Sequence, residues 1–149
     1  MEILGIGTEI VECPRIGSMI EQHGEAFLRR VYTAREVRFC QSRNHALEHF
    51  AGRWAAKQAI LKAIGPKWSR GISWADLEIR DDESGQPLVR VGGTAKEVAL
   101  ARRIGNIMVS ISHCRTYATA SAIVLKSERP SKKAAEAEPA PEPKPEDEG

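Results

Sequence analysis

The sequence predicts an α+β fold, a small domain in which helices pack on antiparallel strands. Helix-like and strand-like segments mix over residues 1–126 without a regular βαβ repeat, which favours α+β. The last two strand-like segments, residues 107–112 and 117–125, are separated by four residues, a spacing typical of an antiparallel hairpin. The length of 149 residues and the hydrophobic composition of 42% suit one globular domain of ordinary size.

The individual elements follow from hydrophobic periodicity and from signals at their ends. In chain order we expect a strand over residues 2–11, helices over 15–30, 33–42 and 46–64, strands over 72–80 and 88–91, a helix over 94–103, and strands over 107–112 and 117–125. The first helical segment contains Gly24, where we expect a break.

Two capping boxes predict where helices begin. Thr33 precedes Glu36 by three residues, and Thr94 precedes Glu97 in the same way. In each pair the hydroxyl and the carboxylate satisfy one free amide apiece at the helix start. The Gly-Pro pair at residues 65–66 predicts the end of the long helix.

Alternating side chains and turn residues predict the strands of the second half. Ile107, Val109 and Ile111 recur at every second position, so they should share one face of a sheet. Residues 82–87 contain Gly85 and should form the turn between two short strands.

Residues 127–149 differ in composition from residues 1–126. They contain five of the eight prolines, seven acidic residues, four basic residues and no apolar residue larger than alanine. Such a segment cannot bury enough apolar surface to offset its ordering entropy, so we predict a disordered tail after a domain of residues 1–126. Without the tail the net charge rises from +2 to +5, which suits an acidic partner or a phosphorylated ligand but is too weak to indicate nucleic acid.

Cysteine usage and hydropathy bear on the compartment. Cys13, Cys40 and Cys114 lie far apart and are odd in number, so we expect reduced thiols in a cytoplasmic protein. No run of about 18 apolar residues occurs, so we expect no membrane span. His45 and His49 are four residues apart without a third ligand in sight, and we interpret them as a solvated pair.

Two segments suggest chemistry. Residues 5–12 place the carboxylate of Glu9 at the end of an apolar strand. Residues 53–59 place several cations on the long helix, where Gln58 and Lys62 share one face at 100° per residue. Such an array suits a diphosphate, because arginine gives forked hydrogen bonds and lysine a point charge. The alternative is an amphipathic helix with a solvated basic edge.

Both segments resemble those of the holo-acyl-carrier-protein synthase family, the small 4′-phosphopantetheinyl transferases. That family usually has Gly-Thr-Asp-Ile-Val-Glu in the first segment and Ala-Ala-Lys-Glu-Ala in the second. Further matches occur in the family's order and spacing at residues 72–79, 85–87, 109–113 and 117–118. The resemblance covers residues 1–126.

The resemblance implies a fold and a reaction. The expected fold is a small unit of helices and antiparallel sheet that forms a homotrimer, with active sites between neighbouring subunits. The expected reaction is attack by a serine hydroxyl of apo-acyl-carrier protein on the β-phosphate of coenzyme A, in fatty-acid or polyketide synthesis. It transfers 4′-phosphopantetheine and leaves adenosine 3′,5′-bisphosphate.

The resemblance also implies a role for each matching residue. Glu9 and Gln58 occupy the positions of ligands to Mg²⁺, a cation that favours carboxylates and substrate phosphates. Arg15 and Arg29 lie on the segment that the family offers to the acyl carrier protein. The residues expected to line the coenzyme A cleft are Arg53, Lys57, Lys62, Gly65 and His113.

Among the departures from the family's pattern, two fall on the metal-ligand positions. Glu9 stands where Asp is usual, which keeps the charge and adds one methylene. Gln58 stands where Glu is usual, and its amide oxygen can bind magnesium but brings no charge and accepts no proton. The catalytic base would then be Glu9 through water, Glu12 or His113, whose ordinary pKa is suitable. The alternative function is a homologue that binds coenzyme A or the carrier protein and has lost transfer.

Overall fold

The computed structural model describes residues 1–128 of the chain. In chain order the elements are β1 (Ile3–Glu12), α1 (Cys13–His23), α2 (Glu25–Val31), α3 (Ala34–Gln41), α4 (Ala46–Ile64), α5 (Pro66–Ser69), a 3-10 turn (Trp74–Asp76), β2 (Leu77–Asp81), β3 (Pro87–Val91), α6 (Gly93–Ala101), β4 (Ile104–His113) and β5 (Tyr117–Lys126). The disorder predicted for residues 127–149 concerns a segment that, beyond its first two residues, lies outside the described part.

Two antiparallel sheets organise these elements. β1, β5 and β4 form a three-stranded sheet with β5 in the centre, and β2 pairs with β3 in a two-stranded ribbon. Glu9 pairs with Ala120 on one side of β5, and His113 pairs with Ala118 on the other side. Two of the predicted catalytic residues therefore lie near the same end of the large sheet.

The long helix α4 packs across this sheet, and two glycines permit its close approach. A Cβ atom on Gly5 would lie 1.8 Å from the carbonyl oxygen of Ala63, and one on Gly7 would lie 2.0 Å from that of Ala59. Any side chain at either glycine would therefore push the helix off the strand. Because side chains alternate along a strand, Glu9 continues the row of Gly5 and Gly7 against α4.

The structure confirms the predicted α+β fold and most of its elements. The final hairpin is present as β4 and β5, and α4 has the predicted bounds. The capping box of α3 is also present. The Glu36 N–H donates to the Thr33 hydroxyl at 3.2 Å, and the Thr33 N–H donates to the Glu36 carboxylate at 3.0 Å. Gly24 separates α1 from α2 with a φ of 52°, as the break signal indicated.

Several predicted boundaries are wrong, and for two of them the structure shows the reason. The strand predicted from residue 72 begins at Leu77, because a 3-10 turn precedes it, in which the Ser73 N–H donates to the Asp76 carboxylate at 3.2 Å. Helix α6 begins at Gly93 without a side-chain cap, so the box at Thr94 does not start it. Gly92 donates its N–H to the carbonyl oxygen of Asp76 at 2.8 Å, so the chain is held in place directly before α6 begins.

Within residues 1–128, no helix is both long enough and apolar enough to cross a membrane.

Candidate active site

Glu9 of β1 and Lys62 of α4 form an ion pair, and we call these two residues, together with Gln58 of α4, the Glu9 half-site. The Nζ of Lys62 lies 3.1 Å from Oε2 of Glu9 and donates to the carbonyl oxygen of Thr8 at 3.2 Å. Gln58 precedes Lys62 by four residues, so the two side chains lie on one face of α4, as predicted. Both line an open cavity of about 510 Å³. The half-site therefore combines one carboxylate, one amide and one ammonium.

Gly65 is the residue that follows the last turn of α4, three positions after Lys62 of the Glu9 half-site. Its φ of 95° lies in the left-handed region that favours glycine, so the chain turns sharply there. The next residue, Pro66, begins α5 and lines the same cavity as Gln58 and Lys62. The structure thus brings Gly65 to the same end of α4 as the Lys62 ammonium.

A second cavity, of about 190 Å³, contains the Arg53 half-site, defined by Arg53 and His113. Arg53 is buried, its guanidinium lies 3.8 Å from Oδ2 of Asp81, and its Nε has no hydrogen-bond partner within residues 1–128. The Nδ1 of His113 lies 3.6 Å from Oε1 of Glu48. A guanidinium and an imidazole that face one cavity suit an anionic group such as a phosphate.

The two half-sites lie on opposite sides of α4. Lys62 follows Arg53 by nine residues, which is about two and a half helical turns and a rise of about 13 Å. The two side chains therefore project from opposite sides of α4. Helix α4 therefore stands between His113 and the Glu9 carboxylate. One chain presents two half-sites, and it does not bring His113 together with Glu9 and Gln58.

Lys57 is not at the surface, which corrects the expectation that it projects with Arg53 from a basic face. Its ammonium is fully buried, lies 2.7 Å from Oε1 of Glu36, and donates to the carbonyl oxygens of Trp74 and Leu77 at 3.0 and 2.7 Å. Burial lowers the pKa of Lys57, while the neighbouring Glu36 carboxylate opposes that shift. This geometry gives Lys57 a structural role, because it joins α4 to α3 and to β2.

A third cavity, of about 220 Å³, is an apolar groove between α1, α2 and the 3-10 turn. We call it the α1–α2 groove. Its aromatic walls are Phe27, Trp54 and Trp74, and the two indole rings lie 5.4 Å apart. The exposed side chains of Arg15 and Arg30 also line it. The other predicted carrier contact, Arg29, lies outside the lining of the groove and pairs with Glu25 at 3.3 Å.

The Glu9 half-site has two side chains whose oxygen atoms can bind a metal ion, the carboxylate of Glu9 and the amide of Gln58. Within residues 1–128 there is no group of three His, Cys, Asp or Glu residues that could hold a metal. Magnesium commonly takes one or two protein carboxylates and fills its shell with water and substrate phosphates. Glu9 and Gln58 therefore fit a magnesium ion held jointly with a phosphorylated ligand.

Sequence reasoning missed the residues that support the Arg53 half-site. Asp81, which directly precedes the predicted turn of residues 82–87, ends β2 beside Arg53. His49 is only partly exposed, because its ring packs edge-on against Phe39 at 5.7 Å and His113 at 4.9 Å. Burial and the nearby His113 lower the pKa of His49. These partners are distant along the chain, so no local pattern could have found them.

Comparison with known protein families identifies the class. The profile of a family described as the 4′-phosphopantetheinyl transferase superfamily matches residues 5–122 of the chain. The chain is a member of this superfamily. The resemblance recognised in the sequence is thereby confirmed.

Individual relatives agree with this assignment. A holo-[acyl-carrier-protein] synthase of Rhodopirellula baltica is 46% identical over 83% of this chain and 98% of that protein. The structure of a Plasmodium yoelii acyl carrier protein synthase with ADP bound has a TM-score of 0.75 and 32% identity, covering 85% of this chain and 98% of that one. The Helicobacter pylori holo-[acyl-carrier-protein] synthase in complex with coenzyme A has a TM-score of 0.69 and 28% identity, covering 80% and 99%.

Proposed function

We propose that this protein is a holo-[acyl-carrier-protein] synthase. It transfers 4′-phosphopantetheine from coenzyme A to a serine of an apo-acyl-carrier protein, in fatty-acid or polyketide synthesis. The observation that supports this most is the Glu9 half-site, where a carboxylate, an amide and Lys62 meet beside an open cavity in a chain of this superfamily. The relatives named as synthases, and the coenzyme A bound to one of them, support the same substrates.

Coenzyme A binds between two copies of the chain. The two half-sites face away from each other across α4, so neither copy alone surrounds a diphosphate and a third phosphate together. The Lys62 ammonium of one copy takes the diphosphate, and Arg53 with His113 of its neighbour takes the remaining phosphate. Arginine suits that task because its guanidinium binds phosphate oxygens in pairs, and Arg53 lines the same cavity as His113.

The assembly is a homotrimer, and the outer face of the large sheet supports it. Ile6 and Met108 pair with Ile123 from either side, so the three side chains form an apolar row across β1, β5 and β4. Ile6 is 66% exposed, Met108 is 53% exposed, and Ile10 on the same face is 61% exposed. Apolar side chains in such a row are better buried against another copy than left in water.

Magnesium, held by Glu9, Gln58 and the diphosphate, would stabilise the charge that develops on the phosphate oxygens. The protein's own side chains do the rest. Lys62 can leave Glu9 for a phosphate oxygen, since its side chain is 55% exposed. Gln58 cannot accept the serine proton, so that proton goes to Glu9 through water, to Glu12 or to His113.

The carrier protein docks on the α1–α2 groove. Arg15 and Arg30 supply positive charge for an acidic partner, and Phe27 with the two tryptophans supplies an apolar floor. Arg29 adds charge at the periphery, where its exposed pair with Glu25 is easily exchanged. Helix α1 directly follows β1, so a partner on this groove lies close to Glu9 and Glu12.

Residues 1–126 form the transferase domain, and the enzyme acts in the cytoplasm. The family match ends at residue 122, within β5, so residues 127–149 are not needed for transfer. All three cysteines are free thiols, two of them buried, which is typical of a reducing compartment.

The function is tested by incubating the protein with coenzyme A, magnesium and an apo-acyl-carrier protein and weighing the carrier by mass spectrometry. We expect the mass of one phosphopantetheine to be added, and no addition with Glu9→Gln. A protein that binds coenzyme A in calorimetry but modifies no carrier would instead be the binding homologue that Gln58 first suggested.

A further inference from the structure

Glu48 lies near the start of α4 and faces two histidines, one through each oxygen of its carboxylate. Its Oε2 lies 3.5 Å from Nδ1 of His45, and its Oε1 lies 3.6 Å from Nδ1 of His113. The side chain of His45 is 70% exposed and that of His113 is 31% exposed, so water weakens the first contact more than the second. Glu48 itself lies outside the lining of the cavity that contains the Arg53 half-site. Its close contact with that half-site is therefore the ring of His113.

Helix α4 holds the ring of His113 from two further positions. The ring of His49 packs edge-on against it, with 4.9 Å between the ring centroids. Gly52 lets β4 approach closely, because a Cβ atom there would lie 3.0 Å from Cγ2 of Ile111 and 3.8 Å from Cδ2 of His113. Residues three and four apart lie on the same face of a helix, so Glu48, His49 and Gly52 all meet β4 from one side. These contacts fix the ring with Nδ1 directed at Glu48.

This orientation decides what the other ring nitrogen, Nε2, is able to do. A carboxylate only accepts hydrogen bonds, so the Nδ1 that faces Glu48 carries a proton. In the neutral ring Nε2 then has none, and it accepts a proton but cannot donate to a phosphate. In the protonated ring both nitrogens donate, one towards Glu48 and the other towards a phosphate oxygen. The neutral form of His113 therefore suits a catalytic base, and the protonated form suits a phosphate ligand.

The charges around His113 favour the protonated form once a phosphate is bound. Arg53 lines the same cavity, but it is paired with Asp81 at 3.8 Å, so these two charges largely offset each other. His49 adds no positive charge near neutral pH, because burial lowers its pKa. Glu48 therefore outweighs these groups, and a phosphate in the cavity is a second anion on the other side of the ring. An imidazolium between two anions is better stabilised than a neutral ring.

We propose that Glu48 is a positioning residue that holds His113 as a cationic ligand for the 3′-phosphate of coenzyme A. The proposal rests on the proposed function, since it requires that the Arg53 half-site takes that phosphate. Glu48 does not touch the coenzyme and acts through the imidazole. The preference of the enzyme for coenzyme A over 3′-dephospho-coenzyme A therefore depends on Glu48, and His113 is not the catalytic base.

Glu48 is itself an anion, so it has two opposing effects on a bound phosphate. Its attraction for the imidazolium acts over 3.6 Å. Its repulsion of the phosphate acts over about 8 Å, because the width of the ring and a hydrogen bond lie between them. Coulomb energy falls with distance, so the attraction is about twice the repulsion, and salt screens the longer contact more. Glu48 therefore favours phosphate binding while His113 is present and opposes it when His113 is removed.

Calorimetric titration of the full chain with coenzyme A and with 3′-dephospho-coenzyme A tests the proposal. Glu48→Gln keeps the size of the side chain and removes its charge. We expect it to weaken coenzyme A binding about three- to tenfold and to leave the affinity for the dephospho analogue unchanged, which also shows that the fold is intact. Glu97→Gln removes the same charge from an exposed position on α6 and should bind both ligands like the wild type. An equal loss for both ligands, or no loss for either, would overturn the proposal.

The same titrations in a His113→Gln background separate positioning from a merely structural contact. There Glu48→Gln should no longer weaken coenzyme A binding and should strengthen it slightly, because only the repulsion remains. The same loss in both backgrounds would overturn the proposal. In transfer assays, Glu48→Gln should raise the KM for coenzyme A and leave kcat unchanged. A lower kcat with an unchanged KM would make His113 the base and would also overturn it.

The dephospho analogue distinguishes failure of this proposal from failure of the proposed function. If the wild type prefers coenzyme A and Glu48→Gln keeps the same preference, only the role of Glu48 is wrong. If the wild type binds both ligands equally, the 3′-phosphate is not bound at the Arg53 half-site, and the role of Glu48 falls with that assignment. If the wild type binds neither ligand, the proposed function itself is wrong, and this proposal with it.

Discussion

The ammonium of Lys62 binds the carboxylate of Glu9, with 3.1 Å between Nζ and Oε2. The same ammonium donates to the carbonyl oxygen of Thr8, so it ties α4 to the end of β1. With Gln58 beside them, the Glu9 half-site has no net charge. A glutamate at position 58 would make it −1, which is the arrangement that the family's usual sequence implies.

Gln58→Glu should lower the magnesium concentration needed for half-maximal transfer. The change keeps the size of the side chain and adds a second carboxylate one helical turn from Lys62. The protein then supplies more of the negative charge that binds magnesium, so binding depends less on the phosphates of the coenzyme. Initial transfer rate measured against magnesium concentration gives the shift. Gln41→Glu adds the same charge at an exposed position of α3 and should leave the curve unchanged. A curve that Gln58→Glu does not move would mean that the site is built around the amide.

Arg53→Ala should weaken coenzyme A binding by about 1–3 kcal/mol, the range for hydrogen bonds to charged groups. The guanidinium lines the cavity beside His113, and alanine removes all of its donors while the imidazole stays. Titration calorimetry measures the loss, and Arg90→Ala, which removes an exposed arginine from β3, is the control. Unchanged affinity in Arg53→Ala would remove the Arg53 half-site from the coenzyme site.

Lys57→Met should destabilise the fold by about 3–5 kcal/mol, because it leaves the buried Glu36 carboxylate without its partner. Adding Glu36→Gln removes the stranded charge but keeps an oxygen acceptor for the buried N–H groups around it, so it should recover much of that loss, as denaturant midpoints would record. The double variant, once folded, should bind coenzyme A like the wild type. Wild-type stability in Lys57→Met together with lost coenzyme binding would instead place Lys57 in the cleft.

The stability of the protein should fall as the pH drops below about 6.5, the ordinary pKa of histidine. The pKa of His49 is lowered by burial, by His113 and by Arg53 and Arg43, while Glu48 opposes the shift. The unfolded chain therefore binds a proton that the folded chain resists, and stability is lost in that window. His49→Gln should flatten the decline between pH 7.5 and 5.5, seen in thermal melts.

The matched control for that experiment is His23→Gln, which removes an exposed histidine from α1. It should leave the decline as steep as in the wild type. A decline that His49→Gln does not alter would mean that other groups set the acid sensitivity of the fold.

The sequence was sufficient where the physical constraint is local. The helical period of 3.6 residues placed Gln58 and Lys62 on one face, and the apolar run of residues 5–12 placed Glu9 near the end of a strand, where β1 has it. It failed for Lys57, which looked like part of a solvated edge. Its burial depends on Glu36, which lies 21 residues away and was recognised only as a capping residue.

The sequence did not predict the separation into two half-sites, because that separation also depends on contacts between segments that are distant along the chain. Local patterns assign residues to faces of one helix, but they do not show what lies on the other side of it. The contact of Arg53 with Asp81, and of His113 with Glu48, joins segments that are separated by 28 and 65 residues. Only the packed sheet brings them together, and it leaves them on the side of α4 away from Glu9.

Complementation between two impaired variants tests the central claim, that coenzyme A is bound and used between copies of this chain. Glu9→Gln and Arg53→Ala damage different half-sites, so each assembly alone should transfer poorly. In co-expressed mixtures, roughly one quarter of the interfaces of a ring should pair two intact half-sites and regain transfer. Activity of the mixture well above that of either variant, at limiting coenzyme A, is the predicted result. A mixture no more active than the mean of the two variants would contradict the claim.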